Sequence, residues 1–463
     1  MGDIRLACDQ AIFTSIRGPM AEGYRIVAAS RGLNTAEKQE ITRHSPSHEA
    51  LCQPAGDAEP VAASFYALPT ERLCVAHSCA AGAEHTGRGG NRVYTRCVVF
   101  DAVEFPRCGY NPFNVLRAMA QAGLTAPELK PPPVLPTVEL PVSPDGAMSK
   151  MPPGEFTPDH RRHVLDTLLA QQDLIVDAPS QWLPFTEAIL LGLPGPMRCS
   201  VSFAAGLKFS SGRRHQLQLL HDEKGVLQGR LAGQPVQFVD TSANPPTAAQ
   251  GSMWARFVEG HWSRGDLLGL ARRTSKPFAE TGETARERIA MLYITTDSLP
   301  ARSPVEILTT VRSILVTSAT GPEAEIADEL IEKAQRVLLS KIAQMNWSEA
   351  DPILRPVVAL WRQSPAGAQF AQPLLEWIVR RGAIEQPLAA AETALLIESD
   401  VPAHVDRARH QALIDEVLRR FAEWLRQDAG PLRSQAENVA TRWQRHRPQC
   451  ALVQSLVPAA STR

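Results

Sequence analysis

The sequence has no excess of charge of either sign and no long run of apolar residues. Its 48 lysine and arginine residues nearly balance 49 aspartate and glutamate residues, leaving a formal net charge of -1. This balance creates no overall field that would draw the chain to nucleic acid or to an acidic membrane surface. No stretch reaches the roughly 18 apolar residues of a membrane span, and polar residues interrupt the N-terminal apolar stretch before a signal-peptide core could form. We therefore expect a cytoplasmic protein with no membrane contact and no nucleic-acid partner.

The sequence also lacks the motifs that mark common catalytic and nucleotide-binding sites. Two glycine-rich segments, 87–90 and 192–196, end without the Lys-Ser or Lys-Thr pair of a phosphate loop. The chain contains no Gly-x-Ser-x-Gly turn and no His-Glu-x-x-His segment. We therefore expect no bound cofactor and no nucleotide hydrolysis by this chain itself.

What is present is typical of a folded chain with several domains. Of the 463 residues, 44% are hydrophobic and 21% are charged. A usual domain size of about 150 residues implies about three domains. The 8 cysteines are scattered through the chain and lie mostly in apolar, strand-like segments, which favours reduced thiols over disulfides.

Residues 1–123 predict an N-terminal α+β domain. Short β-prone runs are bounded by glycine, proline and other turn residues, and the first four of these runs form two candidate hairpins. The predicted strands are 11–15, 24–30, 64–68, 73–79 and 92–100, with helices that begin near Thr35 and at Asn111-Pro112-Phe113.

The rest of the chain divides into three further regions. Residues 124–158 hold 10 prolines and predict a proline-rich linker, because this density excludes a helix or a central strand. Residues 159–245 alternate helix and strand patterns and predict a middle α/β domain, whereas residues 251–458 predict a helical C-terminal region. The overall fold class is thus α+β, with two α/β-type units followed by an all-α region. The predicted middle strands are 173–177, 199–203, 215–220 and 236–240, and helix interruptions are expected at Pro352, Pro356, Pro365, Pro373 and Pro387.

The segment from Cys74 to Cys79 holds the most reactive side chains. Zinc sites usually pair cysteines at a closer spacing than this one, and strand alternation places Cys74 and Cys79 on opposite faces. We therefore expect buried structural cysteines and no metal site. The alternative is nucleophilic catalysis, because an imidazole beside a thiol can generate the reactive thiolate at neutral pH. Cys74 and His77 are the candidate pair for such a hydrolase or transferase.

Two N-terminal blocks resemble a known family. Residues 10–15 read Gln-Ala-Ile-Phe-Thr-Ser, and residues 23–33 read Gly-Tyr-Arg-Ile-Val-Ala-Ala-Ser-Arg-Gly-Leu. Both are similar to the N-terminal domain of the bacterial GTPase-associated protein family, and segments 190–194 and 198–203 resemble the middle domain of that family. The residues that carry the resemblance are Gln10, Thr14, Ser15, Gly23, Tyr24, Ser30, Gly32, Leu33, Asn111, Pro112, Leu193, Pro194, Arg198, Ser202 and Phe203.

The resemblance implies a non-enzymatic adaptor or scaffold encoded beside a GTPase in a bacterial conflict or stress-response system. It implies a protein partner, a separately encoded GTPase or other NTPase, and it supplies no catalytic residue. The missing phosphate loop agrees with this hypothesis, because any GTP would then belong to the partner. The enzyme that uses Cys74 and His77 is the alternative. A third hypothesis, nucleic-acid binding through the arginines of 442–447, predicts salt-sensitive retention on DNA.

Overall fold

The structure is a computed structural model in which the chain forms two compact units, Met1–Ala290 and Met291–Arg463. The described residues of the first unit contain an 11-stranded mixed sheet, and those of the second are helical. The predicted α+β class with an all-α C-terminal region is therefore confirmed, whereas the finer domain boundaries stay predictions. The structure describes residues 4–17, 22–54, 59–84, 90–128, 130–146, 156–178, 181–221, 224–243, 252–276, 282–317, 322–399, 401–427 and 429–456.

The N-terminal part of the sheet is antiparallel. Both predicted hairpins are confirmed: β1 pairs with β2, and β3 pairs with β4. The spatial order β3-β4-β5-β1-β2 places β1 and β5 in the centre, where each has a neighbour on both sides. The strands are β1 (Ile4–Arg17), β2 (Glu22–Ser30), β3 (Val61–Ala67), β4 (Arg72–Ala83) and β5 (Asn91–Asp101).

Two short strands come from the proline-rich segment that was predicted to be a linker. β6 (Val134–Leu135) pairs in parallel with the last two residues of β2, and β7 (Val138–Val142) pairs antiparallel with the start of β1. Both are peripheral strands, where the missing N–H of a proline such as Pro141 is tolerated. This part of the segment therefore belongs to the sheet.

Four parallel strands continue the same sheet beyond β3. Their order is β11-β8-β10-β9, and β9 joins the antiparallel part by pairing with β3. The prediction of a strand over 199–203 is wrong except for its last residue. The N–H groups of Cys199 and Ser200 bond to the carbonyls of Pro196 and Met197, which continues the preceding helical turn. The strands are β8 (Leu174–Asp177), β9 (Phe203–Ala205), β10 (Leu217–Leu220) and β11 (Gln237–Asp240).

Helices cover this sheet, and α1 is the one that matters most for the site. Asn34, and not Thr35, caps its N-terminus: the Asn34 side chain accepts the Glu37 N–H, and the Glu37 carboxylate accepts the Asn34 N–H. The helices are α1 (Thr35–His44), α2 (Pro112–Gln121), α3 (Pro158–Leu169), α4 (Trp182–Gly192), α5 (Gly195–Arg198), α6 (Lys224–Leu231), α7 (Met253–Arg264), α8 (Leu267–Thr274) and α9 (Glu283–Ser298).

The second unit stacks helices around one apolar core. Pro365 and Pro387 begin helices as predicted, but the interruptions expected at Pro352, Pro356 and Pro373 are wrong, because these prolines lie inside helices. Burial of an apolar helix face offsets the lost hydrogen bonds. The helices are α10 (Pro304–Val316), α11 (Pro322–Ile342), α12 (Trp347–Gln363), α13 (Pro365–Glu385), α14 (Pro387–Glu398), α15 (Arg407–Gln427), α16 (Arg433–His446) and α17 (Ala451–Gln454). Within the described ranges, no helix has the length and apolarity that a bilayer span requires.

Candidate functional site

Cys74 and His77 lie on opposite faces of β4, so the structure does not bring them together. Cys74 is fully buried in a cluster that includes Tyr66 and Cys97. Burial, with a further contribution from Cys97, holds the pKa of the Cys74 thiol well above its ordinary value. Burial also lowers the pKa of His77. Both groups are therefore uncharged at neutral pH, and neither activates the other.

The motif residues Gln10 and Ser30 fasten the centre of the N-terminal sheet. The backbone N–H of Gln10 donates to Ser30 Oγ at 2.9 Å, and both side chains donate to the carbonyl of Pro136, at 2.7 and 3.2 Å. Arg96, on β5, donates to Gln10 Oε1 at 2.5 Å. These bonds connect β1, β2 and β5 with the chain between β6 and β7. The polar groups of this motif are therefore used to hold strands together.

A second polar group involves the motif residues Thr14, Ser15 and Tyr24. The Tyr24 hydroxyl donates to the Glu84 carboxylate at 2.8 Å and accepts the N–H of Val93 at 3.0 Å. Ser15 donates to the same carboxylate at 3.0 Å, and Thr14 donates to the Val93 carbonyl at 2.9 Å. Burial raises the pKa of Tyr24, so its hydroxyl remains protonated. This group also has a structural role.

Gly23, Gly32 and Leu33 shape β2 and the turn that joins it to α1. Gly23 has a φ of 114°, which favours glycine at the start of β2. A Cβ on Gly32 would collide with the carboxylate of Asp9, which would then have to shift. Leu33 is buried in the apolar cluster that includes Ile41 of α1. The turn thus sets α1 against the sheet.

The later motif residues Asn111 and Pro112 build the start of α2. Asn111 caps this helix by accepting the N–H of Phe113, and its amide donates to Glu187 at 2.9 Å. Pro112 occupies the first turn, where a missing N–H costs little. Glu187 is fully buried on α4, and its carboxylate also forms an ion pair with Arg117 at 2.8 Å. The α2 start is therefore tied to α4 by a buried charge.

Arg198 is a buried cation surrounded by uncharged oxygen atoms. It is 1% exposed and donates to the carbonyls of Leu191 and Leu193, at 3.0 and 2.9 Å, and to the Thr274 hydroxyl. Weaker bonds reach the Gly109 carbonyl and the Ser275 hydroxyl. Burial lowers the pKa of Arg198 to about 9, which leaves it charged at neutral pH. The guanidinium therefore holds the ends of α4 and α8 together.

The remaining motif residues of the middle region are also directed inward. Pro194 precedes α5 and is its N-cap residue. The Ser202 hydroxyl accepts the N–H of Gln216 at 3.0 Å. Phe203 stacks on Phe113, with 5.4 Å between the ring centres. Their contacts are those of residues that maintain a fold.

A surface groove of about 520 Å³ lies between β2 and α1. We call it the β2–α1 groove. Its β2 wall is apolar, its α1 wall carries hydroxyl, amide and ammonium groups, and Pro133 completes it at the start of β6. The lining residues are Ile26, Val27, Ala28, Ala29, Thr35, Lys38, Gln39, Thr42 and Pro133.

The outer edge of β2 is open along most of this groove. On its inner side, β2 pairs with β1 from Glu22 to Ala29, with a bulge at Val27. On its outer side, only Ala29 and Ser30 pair with a strand, the two-residue β6. Within the part of the chain that the structure describes, residues 23–28 have no strand on that side. Their outward N–H and C=O groups are therefore available to another strand.

The pattern of the first domain matches a known family. Residues 7–141 match the family model described as GTPase-associated protein 1, N-terminal domain type 2. We call residues 7–141 the GTPase-associated domain, after the family model that they match. The resemblance seen in the sequence is thus confirmed for this segment, which contains every residue that lines the β2–α1 groove. No curated protein and no solved structure matches the chain.

A buried histidine pair lies where the GTPase-associated domain meets the middle region. His44 Nδ1, on α1, is 3.3 Å from His215 Nε2, and His44 Nε2 is 3.0 Å from the Glu40 carboxylate. The ring of Tyr66 stacks on His44 with 4.2 Å between centres. Burial lowers the pKa of both histidines. The pair is closed to substrate, because both rings are buried.

Beyond the GTPase-associated domain, a polar pair lies at the carboxyl ends of the parallel strands. His221 Nδ1 is 3.0 Å from the carboxylate of Asp177, which is 4% exposed. Such strand ends are the usual place for ligands in parallel sheets. The described residues contain no group of three or more metal-ligating side chains there or elsewhere.

No pattern in the sequence identified the residues that form the β2–α1 groove or the histidine pair. Lys38 sits in a helix whose pattern reveals burial but not what lies beside it. His44 and His215 are 171 positions apart, so no spacing links them. The only sequence signal for the groove was indirect: a hairpin followed at once by a helix leaves its second strand beside that helix.

Proposed function

We propose that this chain is a non-enzymatic adaptor that binds a separately encoded GTPase or other NTPase through its GTPase-associated domain. The observation that carries the proposal is the match of residues 7–141 to a family named for association with a GTPase. We propose that it acts in a bacterial conflict or stress-response system, as the resemblance implies, and in the cytoplasm, as the absence of a signal peptide or membrane span in the sequence led us to expect. The partner would supply any GTP chemistry.

The β2–α1 groove supports a binding role over a catalytic one. Among its described lining residues, Lys38 alone is ionisable, and the others are apolar, hydroxyl or amide side chains. General acid–base or nucleophilic catalysis requires at least one reactive group beside a partner that activates it. An open strand edge above an apolar wall instead suits recognition of a protein segment. An enzyme built on Cys74 and His77 has less support, because these residues face away from each other.

The test is affinity capture with the full chain as bait. The chain would be co-expressed with the GTPase encoded beside it in its own genome, with GDP or a non-hydrolysable GTP analogue present. We expect the GTPase in the eluate in at least one nucleotide state. A GTPase encoded far from this gene in the same genome is the matched control. Absence of the neighbouring GTPase in both states would contradict the proposal.

A further inference from the structure

We propose that the β2–α1 groove binds an extended, acidic segment of a partner protein, which adds as a strand to the open edge of β2. The inference rests on the proposed function, since it specifies how the GTPase-associated domain would hold a protein partner. Three observations carry it: the edge of β2 over residues 23–28, which is open in the described part of the chain, the apolar side chains that face α1, and an ammonium group that no described carboxylate pairs with.

The edge of β2 is long enough to bind a partner strand. β2 has 9 residues, and the outer side of residues 23–28 is open in the described part of the chain. A typical strand pairs over about five or six residues, which fits this opening. The chain itself already uses the neighbouring positions, because β6 pairs with Ala29 and Ser30. An incoming strand would therefore continue a ladder that β6 has begun.

The side chains of β2 give this edge a specific face. A bulge at Val27 interrupts the pairing with β1 between Ile12 and Phe13. Ile26 and Ala29 pack toward the cluster under α1, whereas Val27 packs toward the opposite face. Ile26 and Ala29 are only half-buried. A bound strand that placed an apolar side chain toward α1 would cover them.

The charge of the groove selects an acidic segment. The two acidic residues of α1 are already engaged: Glu37 accepts from Thr70 and Arg72, and Glu40 bonds His44. Among the described residues, no hydrogen bond or ion pair involves the Lys38 ammonium, and no carboxylate lines the groove. A partner carboxylate placed beside Lys38 would therefore meet an unpaired cation.

The same charges argue against a second copy of this chain as the occupant. Arg25 lies exposed on β2, one residue before Ile26. Two β2 edges paired with each other would bring the Arg25 and Lys38 cations of both copies close together, and like charges across a strand pair destabilise it. We therefore assign the groove to a different, acidic partner.

The test selects peptides with the full-length chain. A phage library of random peptides, as long as β2, would be selected on immobilised protein, and the enriched peptides synthesised. We expect enrichment in Asp and Glu. Each peptide would also be made with N-methyl groups on alternate residues, in the two possible patterns. One pattern should abolish binding and the other should not, because only alternate amides face β2 in a strand pair.

Lys38→Glu tests the charge. We expect the affinity for the acidic peptides to fall by about tenfold or more, and peptides with Lys or Arg at the acidic position to bind the variant better than the parent chain. Lys333→Glu, on α11 in the second compact unit, is the control and should change neither affinity. An unchanged thermal unfolding midpoint would show that Lys38→Glu folds.

Three outcomes would overturn the inference: no enriched peptide, binding that tolerates both N-methyl patterns, or peptides that Lys38→Glu does not affect. A dimer of this chain that Lys38→Glu dissociates would overturn the choice of occupant. These failures differ from failure of the adaptor function. A GTPase captured equally by the parent chain and by Lys38→Glu would refute the groove inference alone. Acidic peptides that bind while no GTPase is captured would remove the GTPase as the partner and leave strand addition intact.

Discussion

Two neighbouring regions of the GTPase-associated domain differ in whether their polar groups are hydrogen-bonded within the domain. In the centre of the sheet, Gln10, Ser30 and Arg96 bond to each other and to the Pro136 carbonyl. At the β2–α1 groove, the Lys38 ammonium and the outer edge of β2 over residues 23–28 have no partner among the described residues. The first region is complete by itself, whereas the second is not.

The comparison separates residues that identify the family from residues suited to bind a partner. A buried polar group that loses its hydrogen bond costs about 1–3 kcal/mol, so the central residues are fixed by the fold. A half-buried lysine without a hydrogen bond, or an open strand edge, carries no such cost and is free to serve recognition. The motifs that reveal kinship are therefore poor guides to the functional surface of this domain.

The largest expected effect concerns Arg198, a buried polar motif residue that is 1% exposed. Arg198→Met should lower the free energy of unfolding by about 3–5 kcal/mol, because several buried carbonyl and hydroxyl groups would lose a charged donor. Urea unfolding of the full chain, followed by tryptophan fluorescence, measures this change. Arg420→Met, on an exposed helix surface, is the control and should cost less than about 0.5 kcal/mol. Equal effects of the two substitutions would contradict the structural role of Arg198.

The second prediction concerns α1, which lines the groove with Lys38 and also carries the buried residue His44. Its inward residue His44 meets His215, and burial lowers the pKa of both. Glu40 opposes the shift of His44, whereas Arg43 and Arg213 reinforce it. Because the unfolded chain binds more protons than the folded chain, stability should fall as the pH drops below about 6.5, by up to about 1.4 kcal/mol per pH unit for each histidine.

Urea midpoints measured across this pH range check the second prediction. His215→Gln should reduce the slope, since it removes one of the two titrating groups. The affinity of the groove for acidic peptides should keep its dependence on Lys38 over the range in which the chain stays folded. A flat stability profile in the parent chain would show that the histidine pair is not held in its neutral form.

Local patterns in the sequence identified much of the sheet. Alternation and turn residues located both N-terminal hairpins, and an Asn-Pro start located α2. Errors arose where tertiary contacts overrode local preference. The prolines of 124–158 concealed β6 and β7, because peripheral strands tolerate a missing N–H. Pro352, Pro356 and Pro373 lie within helices for a similar reason: packing compensates for a lost bond.

The groove was beyond the reach of sequence reasoning for a topological reason. Whether a strand has an open edge depends on which other segment pairs with it, and β2 stays open because β6 covers only Ala29 and Ser30. The periodicity of the sequence does not indicate how many residues of β2 are covered by β6. The pairing of Glu37 with Arg72 and of Glu40 with His44, which leaves Lys38 without a carboxylate partner among the described residues, likewise depends on contacts that only the folded chain makes.

A smaller effect is expected from a single bond in the centre of the sheet. Ser30→Ala removes the acceptor of the Gln10 N–H and one donor to the Pro136 carbonyl. We expect a loss of about 1–2 kcal/mol in the free energy of unfolding, measured in urea, because the Gln10 N–H would stay buried without a partner. Ser47→Ala, at an exposed position after α1, is the control. A cost no greater than that of the control would place Ser30 outside the central network.

The smallest effect on the free energy of unfolding is expected at the groove itself. It tests whether the Lys38 ammonium, unlike the polar groups in the centre of the sheet, contributes little to folding. Lys38→Ala removes the ammonium from α1 without removing any hydrogen bond or ion pair within the described residues, and alanine favours a helix. The free energy of unfolding should therefore stay within about 0.5 kcal/mol of the parent value, while peptide binding falls. If Lys38→Ala instead destabilised the chain as much as Ser30→Ala, Lys38 would belong to the fold, and the groove would lose the unpaired cation that makes it a candidate binding surface.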